Sequence, residues 1–215
     1  MVKVQRVSAG DAALLDPESP EWDGVRGSEL ALNPTPITAQ PSQYIQEKWK
    51  ETPYGVARSV TVRAAHNGER LYFHLSWTDE TNDKAIHDTD QFADAAAVLF
   101  PVNGDAPLQS MGSLQAPVNA WYWRPDIEEP FSITAQGTGT TRRTQDPELG
   151  ASGMHSRGAW RVVIRRRLDS PDAEYVSLAP GVSAKVGFAV WQGSSQERGG
   201  LKSVTLDWEQ LEIEA

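Results

Sequence analysis

Residues 56–77 constrain the fold most, because their pattern is that of a β-hairpin. Apolar residues alternate with polar ones in the first arm, at Val60, Val62 and Ala64. Asn67 and Gly68 then supply the positive-φ residues of a tight turn. In the second arm, LYFHLSW (71–77), every odd position is aromatic or aliphatic, and His74 falls on the polar face. This pattern predicts a half-buried antiparallel pair with His74 facing solvent.

Further strands are predicted where short runs of β-branched and aromatic residues lie between turn residues. These runs are 95–102, 118–123, 131–137, 159–168, 183–193 and 203–214. The best helix candidate is short, over 42–50, with Ser42 as its N-cap. Residues 1–45 hold five prolines and are expected to form an extended arm packed on the domain, with a terminal strand in VKVQRV. The fold class predicted is all-β, an antiparallel β-sandwich with a few short helices and a long extended N-terminal segment.

Length and charge limit the classes of function. A chain of 215 residues can bury a sizeable core, so one domain over 1–215 is expected. The formal charge of -9 argues against nucleic acid or an anionic membrane as the main partner. No apolar run approaches the roughly 18 residues of a membrane span, and the N-terminus lacks the apolar stretch of a secretory signal. The basic run 165–167 is interpreted as a solvated strand face or a patch for docking a partner.

The chain has no cysteine, which excludes disulfides, iron–sulfur clusters held by this chain and haem attached through C-x-x-C-H. The four histidines lack metal-ligand spacing, and no nucleotide or nucleophile motif is present, so no catalytic residue is assigned. The acidic segment 78–94 is interpreted as a solvated loop, with a calcium site or a docking surface as alternatives. Lys84 stands where an EF-hand loop beginning at Asp79 would need glycine.

An isolated methionine, Met111, lies in a predicted loop shortly before the aromatic cluster Trp121-Tyr122-Trp123. A single methionine most often fills a gap in a core. Aromatic residues on a β-sandwich are also typical of sugar-binding modules, in which Trp121 and Trp123 would stack on the ligand. Because alternate residues of a strand share a face, the same two side chains could instead both point into the core. The residues alone leave these readings open.

Three stretches point to a family. They are AALLDPESPEWDG (12–24), MGSLQAPVNAWYWRPD (111–126) and AVWQGSSQERGGLKSVTLDW (189–208). Together with the hairpin, they make the whole chain resemble the γ, haem b-binding subunit of ethylbenzene dehydrogenase-type molybdenum enzymes. That group includes the steroid C25 dehydrogenases and is related to the small subunits of dimethylsulfide dehydrogenase and of selenate and chlorate reductases.

The resemblance implies a β-sandwich that holds one non-covalent haem b between a methionine and a lysine. In the matched motifs these axial ligands are Met111, in M-G, and Lys202, in R-G-G-L-K-S. Asn119 and Trp191 belong to the same motifs and are expected in the haem pocket. Met154 and His155, in GMHSRG, are the alternative ligands. Lysine binds iron only as the neutral amine, so its pKa, ordinarily about 10.4, has to fall in such a site.

The resemblance also implies an electron-transfer role in a heterotrimer. A molybdopterin-containing α subunit would hydroxylate a hydrocarbon or a sterol side chain with water. A β subunit with iron–sulfur clusters would pass the electrons to this chain, and from here they would reach an external acceptor such as a cytochrome c. The implied location is the periplasm, after co-export with a partner that carries a twin-arginine signal. A cytoplasmic location, and a carbohydrate- or other ligand-binding module without a redox role, are the alternatives.

Overall fold

Strands make up most of the regular structure in the computed structural model, which describes all 215 residues. The first seven strands are β1 (Val2–Arg6), β2 (Gly27–Ala31), β3 (Asn33–Pro34), β4 (Ser59–His66), β5 (Arg70–Thr78), β6 (Ala95–Pro101) and β7 (Val118–Trp123). The other seven are β8 (Phe131–Ala135), β9 (Arg142–Thr144), β10 (Gly150–Ser156), β11 (Ala159–Arg167), β12 (Ser183–Trp191), β13 (Ser203–Val204) and β14 (Glu209–Ile213). The helical segments are α1 (Asp11–Leu15), α2 (Gln43–Trp49) and 3₁₀ turns at Pro20–Gly24, Ile37–Ala39 and Gly193–Ser195. None of these helices has the length and apolar character that crossing a membrane requires.

The strands form two packed layers, so the predicted all-β sandwich is confirmed. One hydrogen-bonded path runs β10-β11-β5-β4-β1-β14-β12-β6-β7-β8-β9. Strand β12 leads from the first layer to the second, since 183–186 pair with β14 and 187–191 pair with β6. Between the layers, the ring of Phe73 in β5 lies 5.8 to 6.1 Å from the rings of Phe100, Trp121 and Phe188. The pairing is antiparallel except at β1, which is parallel to both β4 and β14.

The hairpin forms as predicted, with β4 and β5 in antiparallel register. Its turn differs from the prediction, because only Gly68 has a positive φ, of 92°. Asn67 instead uses its side chain, whose Oδ1 accepts hydrogen bonds from the backbone N–H groups of Glu69 and Arg70. Asn67 thus closes the turn as an Asx-type cap.

The polar face of β5 is covered, and the prediction that His74 faces solvent is wrong. His74 is only 3% exposed, its Nε2 lies 3.0 Å from the carbonyl oxygen of Pro17, and its ring lies 5.0 Å from that of Trp22. A small apolar cluster that includes Leu14, Trp22 and Tyr72 packs over this face. The alternation within one strand cannot reveal that a distant segment covers its polar side.

The basic run 165–167 is not one surface patch, so its interpretation as a solvated face is corrected. Arg166 is 3% exposed and its Nε donates to Asp146 Oδ2 at 2.7 Å inside the molecule. Arg165 and Arg167 lie on the opposite face, near Asp11 and Asp169 respectively. Successive residues of a strand point to opposite sides of the sheet, which separates the three charges.

Several elements differ from the prediction because their sequence signals are weak. The strand predicted in VKVQRV forms as β1, which lies centrally between β4 and β14. The rest of 1–45, predicted as an extended arm, also holds β2, β3 and α1. Strand β10, in the glycine- and serine-rich GASGMHS, was missed because it lacks apolar alternation, and it pairs only with β11. The run 203–214 divides into β13 and β14. Ser42 occupies the N-cap of α2, but its side chain makes no capping hydrogen bond.

Candidate cofactor site

A cavity of about 740 Å³ lies against the second layer, on the face turned away from the sandwich core. Its floor follows the strand register. One cross-strand row holds Val204, Ala189, Ala97, Tyr122 and Phe131, and the next holds Leu99, Ala120, Ile133 and Arg143. The residues between them in sequence, such as Val98 and Trp121, point into the core. The cavity therefore uses the outer face of the same strands that build the core.

The small residues on the outer face of the second layer explain why a cavity forms there. Ala97, Ala120 and Ala189 are small, so the floor leaves room for a ligand above β6, β7 and β12. Aromatic rings border it: the ring of Tyr122 lies 4.8 Å from that of Phe131 and 5.3 Å from that of Trp191. The volume falls within the roughly 300–1,000 Å³ typical of small-molecule sites.

Loops form the remaining walls, drawn from 35–45, 86–93, 108–111, 138–141 and 197–205. The first and last of these are joined directly, since Gln40 Nε2 donates to the carbonyl of Gly200 at 2.8 Å. Part of the segment predicted as an arm thus closes the cavity. The walls come from five separate parts of the chain.

Met111 enters the cavity from a strained loop. Its φ is 58°, a left-handed conformation that costs a non-glycine residue roughly 1–2 kcal/mol. The backbone on both sides is hydrogen-bonded, with Met111 N donating to Leu108 O and Gly137 N donating to Met111 O, both at 3.0 Å. A Cβ on Gly112 would lie 2.8 Å from the carbonyl oxygen of Ala116, so this close backbone packing requires glycine. The loop position of Met111 is therefore fixed by the protein.

Lys202 lines the same cavity, and its surroundings ease the deprotonation of its amine. Its Nζ lies 5.0 Å from the centre of the Trp191 ring, and its one hydrogen-bond acceptor is the Gly199 carbonyl at 3.4 Å. No carboxylate forms an ion pair with it. The side chain as a whole is half-buried, but its amine lies at the cavity, where burial lowers the pKa of Lys202 to about 8. Such an amine can present its lone pair to a metal at near-neutral pH.

Asn119 does not line the cavity, contrary to the expectation that it belongs to the haem pocket. It shares a face of β7 with Trp121 and is completely buried. Its Nδ2 donates to Ser132 Oγ at 2.7 Å, and its Oδ1 accepts from Val176 N at 3.3 Å. The alternation in VNAWYW signalled this, because Tyr122 and not Asn119 has the parity of the cavity face.

The chain matches known proteins along most of its length. The family model described as ethylbenzene dehydrogenase matches residues 19–152 and 142–203. The gamma subunit of chlorate reductase from Ideonella dechloratans is 34% identical over 212 residues, which cover 98% of this chain and 84% of that protein. The chain belongs to the ethylbenzene dehydrogenase family.

Two further relatives are similar over shorter regions. A proposed haem subunit of a respiratory nitrate reductase from Haloferax mediterranei is 40% identical, over 84% of this chain and 71% of that protein. The gamma subunit of dimethylsulfide dehydrogenase from Rhodovulum sulfidophilum is 36% identical, over 70% of this chain and 59% of that protein. The predicted resemblance to γ subunits of this family is thus confirmed.

Solved structures share the sandwich. A family 9 carbohydrate-binding module from Caldicellulosiruptor kristjanssonii, in complex with glucose, gives a TM-score of 0.52 at 12% identity, over 99% of this chain and 95% of that one. A protein of Bacteroides uniformis grouped with carbohydrate-binding proteins gives 0.53 at 12% identity, over 100% and 97% of the two chains. At this identity the similarity shows the fold alone.

Trp121 and Trp123 cannot serve as sugar-stacking platforms in this family member. They are 1% and 6% exposed and belong to the core between the layers. Their rings contact other core aromatics, with Trp121 4.6 Å from Phe100 and Trp123 5.1 Å from Trp160. The alternative in which both stack on a carbohydrate is therefore wrong, and the reading in which both point into the core is right.

The alternative ligands Met154 and His155 lie outside the cavity. Both belong to β10, at the end of the first layer. Met154 is 40% exposed, and His155 Nε2 lies 2.8 Å from the carbonyl oxygen of Asp79. Of the methionine and histidine candidates named from sequence, Met111 alone lines the cavity.

Glu197 anchors the loop that carries Lys202, a role that the sequence did not reveal. It is buried, and its two carboxylate oxygens accept backbone hydrogen bonds from Val56 at 2.9 Å and Gln192 at 3.0 Å. Burial raises the pKa of this carboxyl above its usual range. The side chain ties the segment before β4 to the turn after β12, and this fixes one wall of the cavity.

The acidic segment contributes a structural contact. Asp94 is completely buried and accepts hydrogen bonds from Asp83 N, Gly193 N and Trp160 Nε1, each at 2.8 Å. Burial, followed by the neighbouring charge of Asp79, raises the pKa of Asp94 to about 7. No three acidic or histidine side chains converge as metal ligands anywhere in the chain. The segment joins the first layer to the second through Asp94.

Proposed function

We propose that this chain binds one non-covalent haem b between Met111 and Lys202 and acts as the electron-transfer subunit of a molybdenum enzyme. The observation that carries the proposal is the meeting of these two side chains on one largely apolar cavity, although they lie on loops far apart in sequence. The relative from Haloferax mediterranei, described as a haem subunit, supports the cofactor class.

The donor set suits the proposed group. A thioether is a soft ligand that raises the reduction potential, and a neutral amine is a strong axial donor. Burial disfavours the ammonium form of Lys202, so little free energy is needed to free its lone pair. When bound, the haem supplies a one-electron carrier. With a protein donor on each side, the site suits electron transfer better than binding of oxygen.

The aromatic side chains that border the cavity, Trp191, Tyr122 and Phe131, have a separate role. Trp191 covers the amine, and its Nε1 donates to the Gly199 carbonyl at 3.1 Å, which fixes the ring. Tyr122 packs edge-on against Trp191 and stacks on Phe131. These side chains form the apolar wall beside Lys202 and shield one side of its amine from water.

We extend the proposal to the assembly. The relatives from chlorate reductase and dimethylsulfide dehydrogenase are gamma subunits, which supports a heterotrimer with a molybdenum-containing α subunit and an iron–sulfur β subunit. We infer that the enzyme hydroxylates a hydrocarbon or a sterol side chain with water. The family description, ethylbenzene dehydrogenase, supports the hydrocarbon class of substrate. This chain would receive electrons from the β subunit and pass them to an external acceptor such as a cytochrome c. We place the complex in the periplasm, co-exported through a twin-arginine signal on a partner.

The ligand assignment predicts a specific response to substitution. Met111→Ala is expected to change the spectrum of the dithionite-reduced protein and to lower its reduction potential, because the thioether favours the ferrous state. Lys202→Ala is expected to weaken haem retention. The measurement is the absorption spectrum and a redox titration of the full chain reconstituted with haem b.

Met154→Ala is the matched control, because this exposed methionine lies outside the cavity and its loss should leave the spectrum and the potential unchanged. A Met111→Ala spectrum identical to that of the wild type would refute the ligand assignment. Absence of a Soret band in the wild-type protein would refute haem binding itself.

A further inference from the structure

Basic side chains line the cavity in a protein whose formal net charge is -9. Four basic residues line it: Arg124, Arg143, Arg198 and Lys202. Arg124 is already neutralised, since its Nε and Nη2 donate to the two carboxylate oxygens of Asp126 at 2.5 and 2.9 Å. None of the other three forms an ion pair with a carboxylate.

The two acidic residues of the cavity wall, Asp88 and Glu197, form no ion pair with these basic side chains. Glu197 directs its oxygens to the backbone N–H groups of Val56 and Gln192. Asp88 lies on an exposed loop and accepts hydrogen bonds from Thr89. With Lys202 assigned to the metal as a neutral amine, two arginines remain available for anionic groups of a ligand.

Arg143 is held at the cavity by the register of β9. It lies opposite Ile133 of the floor, and its guanidinium carbon lies 4.6 Å above the centre of the Phe131 ring. Stacking on an aromatic face orients a guanidinium while leaving its N–H groups free. The preceding residue, Arg142, points to the other side of the strand and pairs with Glu174. Two adjacent arginines thus have different environments.

Arg198 is held on another wall of the cavity. Its guanidinium carbon lies 4.3 Å from the centre of the Phe92 ring and 5.7 Å from that of Trp49. Its Nη1 donates to the carbonyl of Gln196 at 2.6 Å. An arginine has five N–H donors, so several remain for a ligand.

We propose that Arg143 and Arg198 bind the two carboxylates of the porphyrin. The inference rests on the proposed function, since haem b combines an apolar ring with two carboxylate side chains. The apolar floor fits the ring, and the guanidinium fork matches the geometry of a carboxylate. The two arginines are positioning residues that set the orientation of the cofactor.

The test compares haem b with its dimethyl ester, in which both carboxylates are blocked. Each is titrated into the full chain, and binding is followed by the Soret band. We expect the wild type to bind the ester roughly 10- to 100-fold more weakly, the scale of a lost charge-assisted hydrogen bond. Arg143→Met and Arg198→Met should each weaken the binding of haem b and reduce this difference. The double variant should bind both forms equally.

Arg142→Met is the matched control, because it removes the neighbouring arginine that faces away from the cavity, and it should retain the full difference. Arg143→Lys should retain part of it through charge alone. Arg143 is exposed, so its variants test the inference independently of folding.

A difference that persists in the double variant would overturn this inference. Equal binding of both forms by the wild type, with a spectrum that still depends on Met111, would also overturn it and leave the proposed function intact. Failure of the wild type to bind either form would refute the proposed function.

Discussion

The pKa values of single residues in this protein depend on the segments that bury them. Lys202 has no acidic partner and lies beside Trp191, and burial lowers the pKa of its amine. His74, on the opposite layer, is buried under the N-terminal segment, and burial lowers its pKa to about 4. Neighbouring Arg63 and Arg161 lower it further, while the hydrogen bond to the Pro17 carbonyl opposes this. Both residues would titrate differently in a solvated chain.

The buried His74 predicts a loss of stability in acid. Its pKa is about 4 in the folded protein and about 6.5 in the unfolded chain, so the unfolded state binds the proton more readily. Its stabilising contribution is therefore complete above pH 6.5 and is lost as the pH falls toward 4. The expected loss in the free energy of unfolding is about 3 kcal/mol. His74→Gln should remove this component, measured by urea unfolding between pH 4 and 7.

The difference in the free energy of unfolding between His74→Gln and the wild type isolates the contribution of His74. Asp94 acts in the opposite sense in both proteins, because its raised pKa makes the folded state the better proton acceptor. His87→Gln, at an exposed histidine, is the control and should reproduce the wild-type profile. Parallel pH profiles for wild type and His74→Gln would contradict the assignment.

At the scale of elements, the cavity depends on loops that are fixed by backbone contacts. The loop 108–112 is tied at both ends, and Gly112 packs directly on the carbonyl oxygens of Ala116 and Ala135. The loop 193–202 is tied by Glu197 and by Gln40. Strand parity then decides which side chains of β7 and β12 reach the ligand. The cavity is thus built by elements that backbone hydrogen bonds and close packing hold in place.

Gly112→Ala is expected to disturb the site as well as the stability. The residue has a φ of 84°, and a Cβ there would lie 2.8 Å from a carbonyl oxygen. Gly68, in the β4–β5 turn away from the cavity, has a similar φ of 92° but open space around it, so Gly68→Ala is the matched control. The control should lose about 1 kcal/mol in the free energy of unfolding, and Gly112→Ala a further 1–3 kcal/mol or so.

Haem titration separates the effect on the site from the effect on stability. Gly112→Ala should also weaken haem binding, because the Met111 loop has to move, whereas Gly68→Ala, outside the cavity, should leave the affinity unchanged. Equal losses of stability in both variants would show that the contact with Ala116 carries no cost.

For the whole molecule, β12 is the element that makes the two layers one unit. It pairs with β14 in the first layer and with β6 in the second, and it ends at Trp191 in the cavity wall. The Asp94 contacts add a second link between the layers. We therefore propose that residues 1–215 unfold as a single domain.

This connection predicts that haem stabilises the entire fold. At a free haem concentration about 100 times the dissociation constant, the free energy of unfolding should rise by about 2.7 kcal/mol. Urea unfolding followed by tryptophan fluorescence and by far-ultraviolet circular dichroism should show one coincident transition, shifted as a whole. Two transitions, of which haem moves only one, would contradict a single cooperative domain. Met111→Ala should reduce the shift.

Much of the fold followed from local patterns. The alternation in 56–77 predicted β4 and β5, and the runs at 95–102 and 118–123 predicted β6 and β7. Strand β10 escaped prediction because GASGMHS has no apolar alternation to detect. The motifs around Met111 and Lys202 indicated both candidate ligands, but Asn119 was assigned to the pocket by motif membership although its parity placed it in the core.

For the strands with apolar alternation, such as β4 to β7, the sequence by itself determined both the strand and its apolar face, since both are properties of consecutive residues. Only the tertiary structure decided which outer face is covered and which becomes a cavity. Val163 and Tyr72 lie beneath the N-terminal segment, whereas Ala97 and Ala120 lie beneath loops that leave room for a ligand. This outcome depends on contacts between residues far apart in the chain, and such contacts produce no periodic pattern of apolar residues in the sequence.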